Sequence, residues 1–132
     1  MTEDLMTIRQ MCDAFDVTAR TLRFYEAKEL LAPRRDGQKR LYGRRDRARL
    51  KLILRGKRFG FSLEQIRQLL DLYDLDRGQE IQFRRAYELA LDRLADMERQ
   101  RADLDVAIDE LKAQIAWGEA QIADMDRATA AE

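Results

Sequence analysis

Apolar residues recur with a period near 3.6 through most of the chain, and breaks in that period divide it into several short helices and one long one. Ile8, Met11, Cys12 and Phe15 stand at i, i+3, i+4 and i+7, which predicts a helix over 8–15 with Thr7 as its N-cap. After the brief connection Asp16-Val17, Thr18 is a second good N-cap. The helix it opens must end before Pro33, because the residue preceding a proline is driven out of the helical region. Two short helices joined this tightly have the form of a helix-turn-helix, whose second member presents side chains to a DNA major groove. In the stretch 34–42, Asp36-Gly37 predicts a tight turn between two short basic strands. A third helix fits 46–59, with Leu50, Ile53 and Leu54 inward. Gly56 lies inside it at a cost of about 1 kcal/mol relative to alanine, which marks close backbone packing. Gly60 breaks this helix, and Ser62 with Gln65 has the spacing of a capping box for a fourth, whose inner face is Leu63, Ile66, Leu70 and Tyr73.

The rest of the chain has a different period. Steps of 4 and 3 from Phe83 reach Tyr87, Ala90, Leu94, Met97, Arg101, Leu104, Ile108, Leu111, Ile115, Gly118, Ile122 and Met125, and only Arg101 and Gly118 interrupt the apolar series. A 3.5-residue repeat sustained over six heptad lengths predicts a coiled coil. At 1.5 Å per residue it makes a rod of roughly 65 Å. Its seam, with Leu94, Met97, Leu104, Ile108, Leu111 and Ile115 at the centre, needs a partner, and the simplest is a second copy of the chain. A long helix folding back on the N-terminal helices is the alternative, but four short helices cannot cover so long a seam. The divisions expected are a tail at 1–6, a domain over 7–75, a linker over 76–80 within the polar run that begins at Asp74, a coiled-coil helix over 81–126 and a second tail at 127–132.

Charge sharpens the division. The 25 basic and 25 acidic residues of the 132 cancel, yet residues 1–60 carry 16 Lys or Arg against 8 Asp or Glu, and the remainder is acidic by the same margin. The N-terminal part could meet a polyanion, a well-solvated basic helix face being the alternative, and the C-terminal part would avoid one. The chain has no histidine, which excludes Ser-His-Asp and Cys-His nucleophile systems and His-ligated metals. The one cysteine, Cys12, lies on the inward stripe of the first helix, so no disulfide, redox pair or soft metal-ligand set is expected. No segment has the roughly 18 apolar residues of a membrane span. A soluble cytoplasmic protein without cofactor or metal is expected, and an enzyme is not.

Thr18, Arg20, Thr21, Arg23, Phe24, Tyr25 and Glu26, then Leu30-Leu31-Ala32-Pro33, the basic hairpin ending Arg40-Leu41-Tyr42, the basic helix begun at Asp46, and Gly60-Phe61-Ser62-Leu63-Glu64-Gln65-Ile66 follow one another in an order and spacing that resembles the DNA-binding domain of the MerR family of bacterial transcription regulators. The resemblance implies a mainly α fold: a winged helix-turn-helix domain with a small β-hairpin wing, followed by a long dimerisation helix forming a coiled coil. Asp16 departs from the glycine common in the family's turn, but aspartate tolerates the left-handed conformation that turn needs.

Carried onto these residues, the resemblance assigns Thr18, Arg20, Thr21 and Arg23 to the major-groove helix. Tyr25, with Phe24, closes that helix against the DNA backbone and the domain core, Phe24 being read as core. Arg40 and Tyr42 on the hairpin, with Lys57 and Arg58 before a second wing, are assigned to phosphates. It further implies a homodimer on an inverted-repeat operator in double-stranded promoter DNA, RNA polymerase as partner through distortion of the promoter spacer, and association with the nucleoid when bound. The stretch 49–74 is also similar to a branch regulating branched-chain amino-acid or acyl-CoA breakdown. Family members that sense metals carry cysteines near the end of the coil, and none stands there. Any effector is therefore expected to be an organic molecule, with the gap at Gly118 beside Trp117 as a candidate pocket, although a structural tryptophan capping the dimer is the favoured reading. The competing function is a DNA architectural or excision-type factor without a polymerase partner. A protein–protein adaptor built on the coil leaves the basic half unexplained.

Overall fold

The structure, a computed structural model, describes residues 4–73 and 80–131. Residues 76–79 of the expected linker and the side chain of Tyr73 lie outside the described residues. The elements in order are β1 (Met6–Thr7), α1 (Ile8–Phe15), α2 (Ala19–Ala27), β2 (Arg34–Asp36), β3 (Lys39–Tyr42), α3 (Arg44–Arg58), α4 (Leu63–Tyr73) and α5 (Glu80–Ala131). The chain divides into two compact units, one to Glu88 and one from Leu89. No described helix is long and apolar enough to cross a membrane.

Side-chain caps set the helix starts. The Thr7 hydroxyl accepts from the Gln10 N–H at 3.2 Å while Gln10 Oε1 accepts from the Thr7 N–H at 2.8 Å, a reciprocal capping box. Ser62 and Gln65 repeat it at 3.1 and 2.9 Å. Asp16 ends α1 in the left-handed conformation (φ 54°, ψ 50°), as its short side chain allows. The end of α2 falls before Pro33, as expected. It stops at Ala27 because Glu29 turns left-handed at φ 60°. The Leu30 N–H then bonds the Tyr25 carbonyl and the Glu29 N–H bonds the Glu26 carbonyl, both at 2.9 Å, and buried Leu30 and Tyr25 complete a Schellman cap. Cations from elsewhere supply what this helix end lacks: Arg49 Nε donates to the Leu30 carbonyl at 2.8 Å, and Arg67 donates to that of Lys28.

The sheet is antiparallel in the order β1-β3-β2, with Met6 opposite Tyr42 and Arg35 opposite Arg40. The turn is displaced by one residue from the position expected: Asp36 pairs with Lys39, so Gly37 and Gln38 are its central positions, and Gly37 takes the positive φ of 63°. The sequence pattern does not predict β1, because two residues carry no period. Arg47 ties it down, donating to the carbonyls of Asp4 at 2.8 Å and Tyr42 at 3.0 Å.

One core joins the four helices α1 to α4 and β3: Met11 from α1, Leu22 and Tyr25 from α2, Leu30 and Leu31 after it, Tyr42 from β3, Leu50 and Ile53 from α3, and Ile66 and Leu70 from α4. Ile8, Cys12, Phe15, Leu54 and Leu63 pack at its edge. Gly56 has the role its position predicts, since a Cβ there would meet Ile66 Cγ1 at 3.0 Å. α3 begins at Arg44, two residues before the expected start, with Gly43 as a cap that offers no side chain. Asp46, 6% exposed, therefore lies inside the first turn, where its carboxylate accepts from the Ala32 N–H at 3.0 Å.

The hydroxyls of Tyr25 and Tyr42 are buried and have no hydrogen-bond partner among the described residues. Burial, reinforced by the Glu26 carboxylate, pushes the Tyr42 phenol up to about 12. An unfolded tyrosine ionises near pH 10. The native state therefore keeps a proton that the unfolded chain releases, and stability falls as pH rises from about 10 to 12, by about 1.4 kcal/mol per unit. Tyr42→Phe should remove that slope and be neutral or stabilising at pH 7, because an unsatisfied buried hydroxyl goes with it. Urea unfolding of both proteins at pH 7 and 11 checks this; parallel losses at pH 11 would contradict it.

Candidate nucleic-acid interface

The exposed face of α2 follows from its buried one. Leu22 and Tyr25 point into the core, which leaves Arg20, Arg23, Phe24 and Ala27, at i, i+3, i+4 and i+7, on the opposite side. Arg20 and Arg23 are exposed and make no hydrogen bond or ion pair among the described residues. Thr18 opens the helix by accepting from the Thr21 N–H at 3.1 Å, and the two hydroxyls share a bond of 2.9 Å.

The structure corrects the reading of Phe24 as core and places Tyr25 and Tyr42 deeper than the exposed arginines. Phe24 is 44% exposed instead of core, held by Lys28 Nζ at 5.7 Å from its ring centroid and by the Tyr25 ring at 5.6 Å. It sits on the face of α2 opposite Leu22 and Tyr25, away from the core. Tyr25 at 1% and Tyr42 at 0% exposure are core residues, so in this arrangement neither side chain is offered to a partner.

Arg40 is held rather than free. Its Nε donates to Glu26 Oε2 at 2.6 Å, and Glu26 Oε1 lies 3.9 Å from Arg35 Nη1. Arg35 and Arg40 are directly opposite in the hairpin, a like-charge pair that is destabilising by itself. Glu26, on the helix bearing Arg20 and Arg23, offsets part of that repulsion and ties the hairpin to the helix. Its role is not legible in the sequence, because nothing in the local pattern brings residue 26 to residues 35 and 40. Lys57 and Arg58, in the last turn of α3, are exposed and unpaired among the described residues. The basic stretch thus contains two populations: Arg40, Arg47 and Arg49, which hold the fold together, and cations such as Lys57 and Arg58 that face outward.

On α5, Leu94, Met97, Leu104, Ile108, Leu111 and Ile115 are each at least 38% exposed. Trp117 is 64% exposed and a Cβ at Gly118 would meet nothing within 4 Å, so the pair encloses no cavity within its helix. No group of three or more His, Cys, Asp or Glu that could hold a metal gathers among the described residues.

Residues 6–72 match the family described as MerR HTH family regulatory protein, and 47–114 match that described as MerR, DNA binding. The mercuric resistance operon regulatory protein of Shigella flexneri is 37% identical over 101 residues, 75% of this chain and 67% of that protein. The nodulation protein NolA of Bradyrhizobium elkanii is 38% identical over 118 residues, 82% of this chain but only 53% of its own length. In fold, the chain is similar to HiNmlR, a MerR-family regulator lacking the sensor domain and solved bound to promoter DNA, with a TM-score of 0.64, 23% identity and 80% of each chain covered. The exposed arginine face of α2, the hairpin fixed beside it and these matches have one reading: the chain belongs to the MerR family and is a DNA-binding transcription regulator.

Proposed function

We propose that the protein binds an inverted-repeat operator in promoter DNA as a homodimer joined through α5, and regulates transcription there by altering the spacer that RNA polymerase must read. Arg20 and Arg23 enter the major groove, where a guanidinium forks onto guanine O6 and N7. Lys57 and Arg58 set the protein on the phosphates. Arg40 contributes first as a brace, holding the hairpin in place through Glu26. The observation that carries the reading is the pair of exposed arginines three residues apart on one face of α2, without intramolecular partners among the described residues.

The homodimer follows from the seam, whose large apolar side chains lie exposed along α5 in the single chain. Selection from a random DNA pool tests the whole reading. An inverted repeat with fixed half-site spacing is expected, and no enrichment would refute it. Transcription in vitro from a promoter carrying the recovered site then separates the regulator from the architectural factor, which would bind without changing polymerase output.

A further inference from the structure

Most of the cations of α3 have no part in the operator contacts proposed above. Arg44, Ala48, Lys51, Arg55 and Arg58 recur at i, i+4, i+7, i+11 and i+14, so they share one face of the helix, and all five are exposed. Asp46, Leu50, Ile53 and Gly56 hold the opposite face in the core. The arginines between the two faces are engaged, Arg47 with the carbonyls of Asp4 and Tyr42 and Arg49 with that of Leu30. The four cations of the outer row make no hydrogen bond or ion pair among the described residues. We infer that this row is a phosphate-binding track, which takes the backbone of the duplex flanking each half-site. The inference rests on the operator reading above and lengthens its footprint, starting from Arg58.

In the free chain the row works against its own helix. Lys51 and Arg55 stand four residues apart and Arg55 and Arg58 three, spacings at which like charges repel. The helix dipole compensates the cations of the last turn, Arg55 and Arg58. Arg44 has no such compensation, because it stands in the first turn, at the positive end. Nor does the helix supply a counter-charge. Its one acidic residue, Asp46, is buried and turned to the Ala32 N–H. An external anion relieves all of these repulsions together.

The composition of the row selects the anion. Ala48 is its only uncharged member, so it offers no aromatic or large aliphatic anchor of the kind that carries the energy of a protein–protein contact. Protein interfaces are also depleted in lysine, whereas duplex interfaces are polar and strongly positive. From Arg44 to Arg58 the row is about 21 Å long, at 1.5 Å per residue. That length matches about six base pairs of backbone at 3.4 Å each. Where half-site centres stand one helical turn apart, roughly 34 Å, two such rows do not fit end to end between them, so each runs outward. Contacts to phosphate alone carry no sequence information, and the flank is therefore held whatever its bases.

Two duplexes with the same selected inverted repeat test this on the full chain. One ends at the outer edges of the repeat, and the other extends by about ten base pairs, one helical turn, of scrambled sequence on each side. In about 0.1 M salt, where charges more than about 10 Å away are screened, the wild-type protein should bind the extended duplex at least about tenfold more tightly. Its log–log salt slope should be steeper there by about 5, for three further cations in each copy of the dimer at about 0.9 each. A protein carrying Arg44→Gln, Lys51→Gln and Arg55→Gln together should bind the short duplex as the wild type does and lose the preference for the long one. Changing the flanking sequence should leave the preference intact. Equal wild-type affinity for the two duplexes would overturn the track and leave the row to an acidic protein or to solvent. A triple variant that keeps the preference, or that weakens equally on both duplexes, would also overturn it. So would a wild-type complex holding the short duplex and a separate random duplex at once, since the row would then serve a second DNA molecule. Each of these failures leaves preference for the inverted repeat in place, whereas a protein that selects no repeat would overturn the proposed function itself.

Discussion

Ile108→Asp should convert the protein to a monomer at micromolar concentration while leaving the DNA-binding unit folded. Ile108 lies at the middle of the seam, 41% exposed in the single chain, and a dimer joined there buries it from both copies. Burying a large aliphatic side chain contributes roughly 1.5–3 kcal/mol, and the substitution removes two of them per dimer. Each is replaced by a carboxylate without a charge partner in an apolar layer, which adds a desolvation cost. A total of at least about 4 kcal/mol corresponds to roughly a thousandfold in Kd. Sedimentation velocity reads the change directly, and the first unit should keep its unfolding midpoint, because its core of Leu22, Leu50, Ile53 and Ile66 is formed without α5. Operator affinity should fall with dimerisation, since two half-sites are then no longer bound by one molecule. A variant that remains dimeric would show that the interface lies elsewhere.

Where a helix start depends on a side chain, the sequence displays it: Thr7, Thr18 and Ser62 each cap with their own hydroxyl, and α1 has the expected bounds. Where it depends on backbone alone, the sequence is silent. Gly43 caps α3 without a side chain, so α3 starts two residues before the pattern puts it, and Glu29 takes a left-handed conformation that usually signals glycine, so the pattern bounds the end of α2 only by Pro33. The inward stripe of α1 is legible because period decides which face is buried. Phe24 is not, because a single aromatic residue next to Tyr25 satisfies either face until the rest of the core is present.

The charges are hardest to sort. Arg20 and Arg23 differ from Arg47 and Arg49 only in what the fold brings to them, and the hydrogen bonds of Arg47 to Asp4 and Tyr42 and of Arg49 to Leu30 go to carbonyl groups, which leave no trace in residue type. Arg40 is the instructive case. Its place in a basic hairpin suggests a phosphate partner, whereas its ion pair with Glu26 makes it part of the scaffold that positions α2. Arg40→Ala therefore acts on stability as well as on DNA, by about 1 kcal/mol for a partly buried pair. It is a poor test of phosphate binding.

The cleaner test separates Arg20 and Arg23 from Lys57 and Arg58, all exposed and none needed to hold the fold. On the operator, Arg20→Ala or Arg23→Ala should cost roughly 1–3 kcal/mol for each guanidinium–base pairing it removes, and a dimer has one such pairing in each half-site. On random DNA the loss should be smaller, so the ratio of specific to non-specific affinity contracts, and preference relaxes at one base pair per half-site. Lys57→Ala or Arg58→Ala should weaken operator and random DNA alike. The log–log salt slope should also fall by about 1 for each phosphate no longer neutralised, because fewer counterions are released on binding. Fluorescence anisotropy over a salt series, on the selected operator and on a scrambled duplex, gives both quantities from the same titrations. Equal losses on the two duplexes for Arg20→Ala and Arg23→Ala would remove α2 from base reading and leave that role to the outward cations at the end of α3.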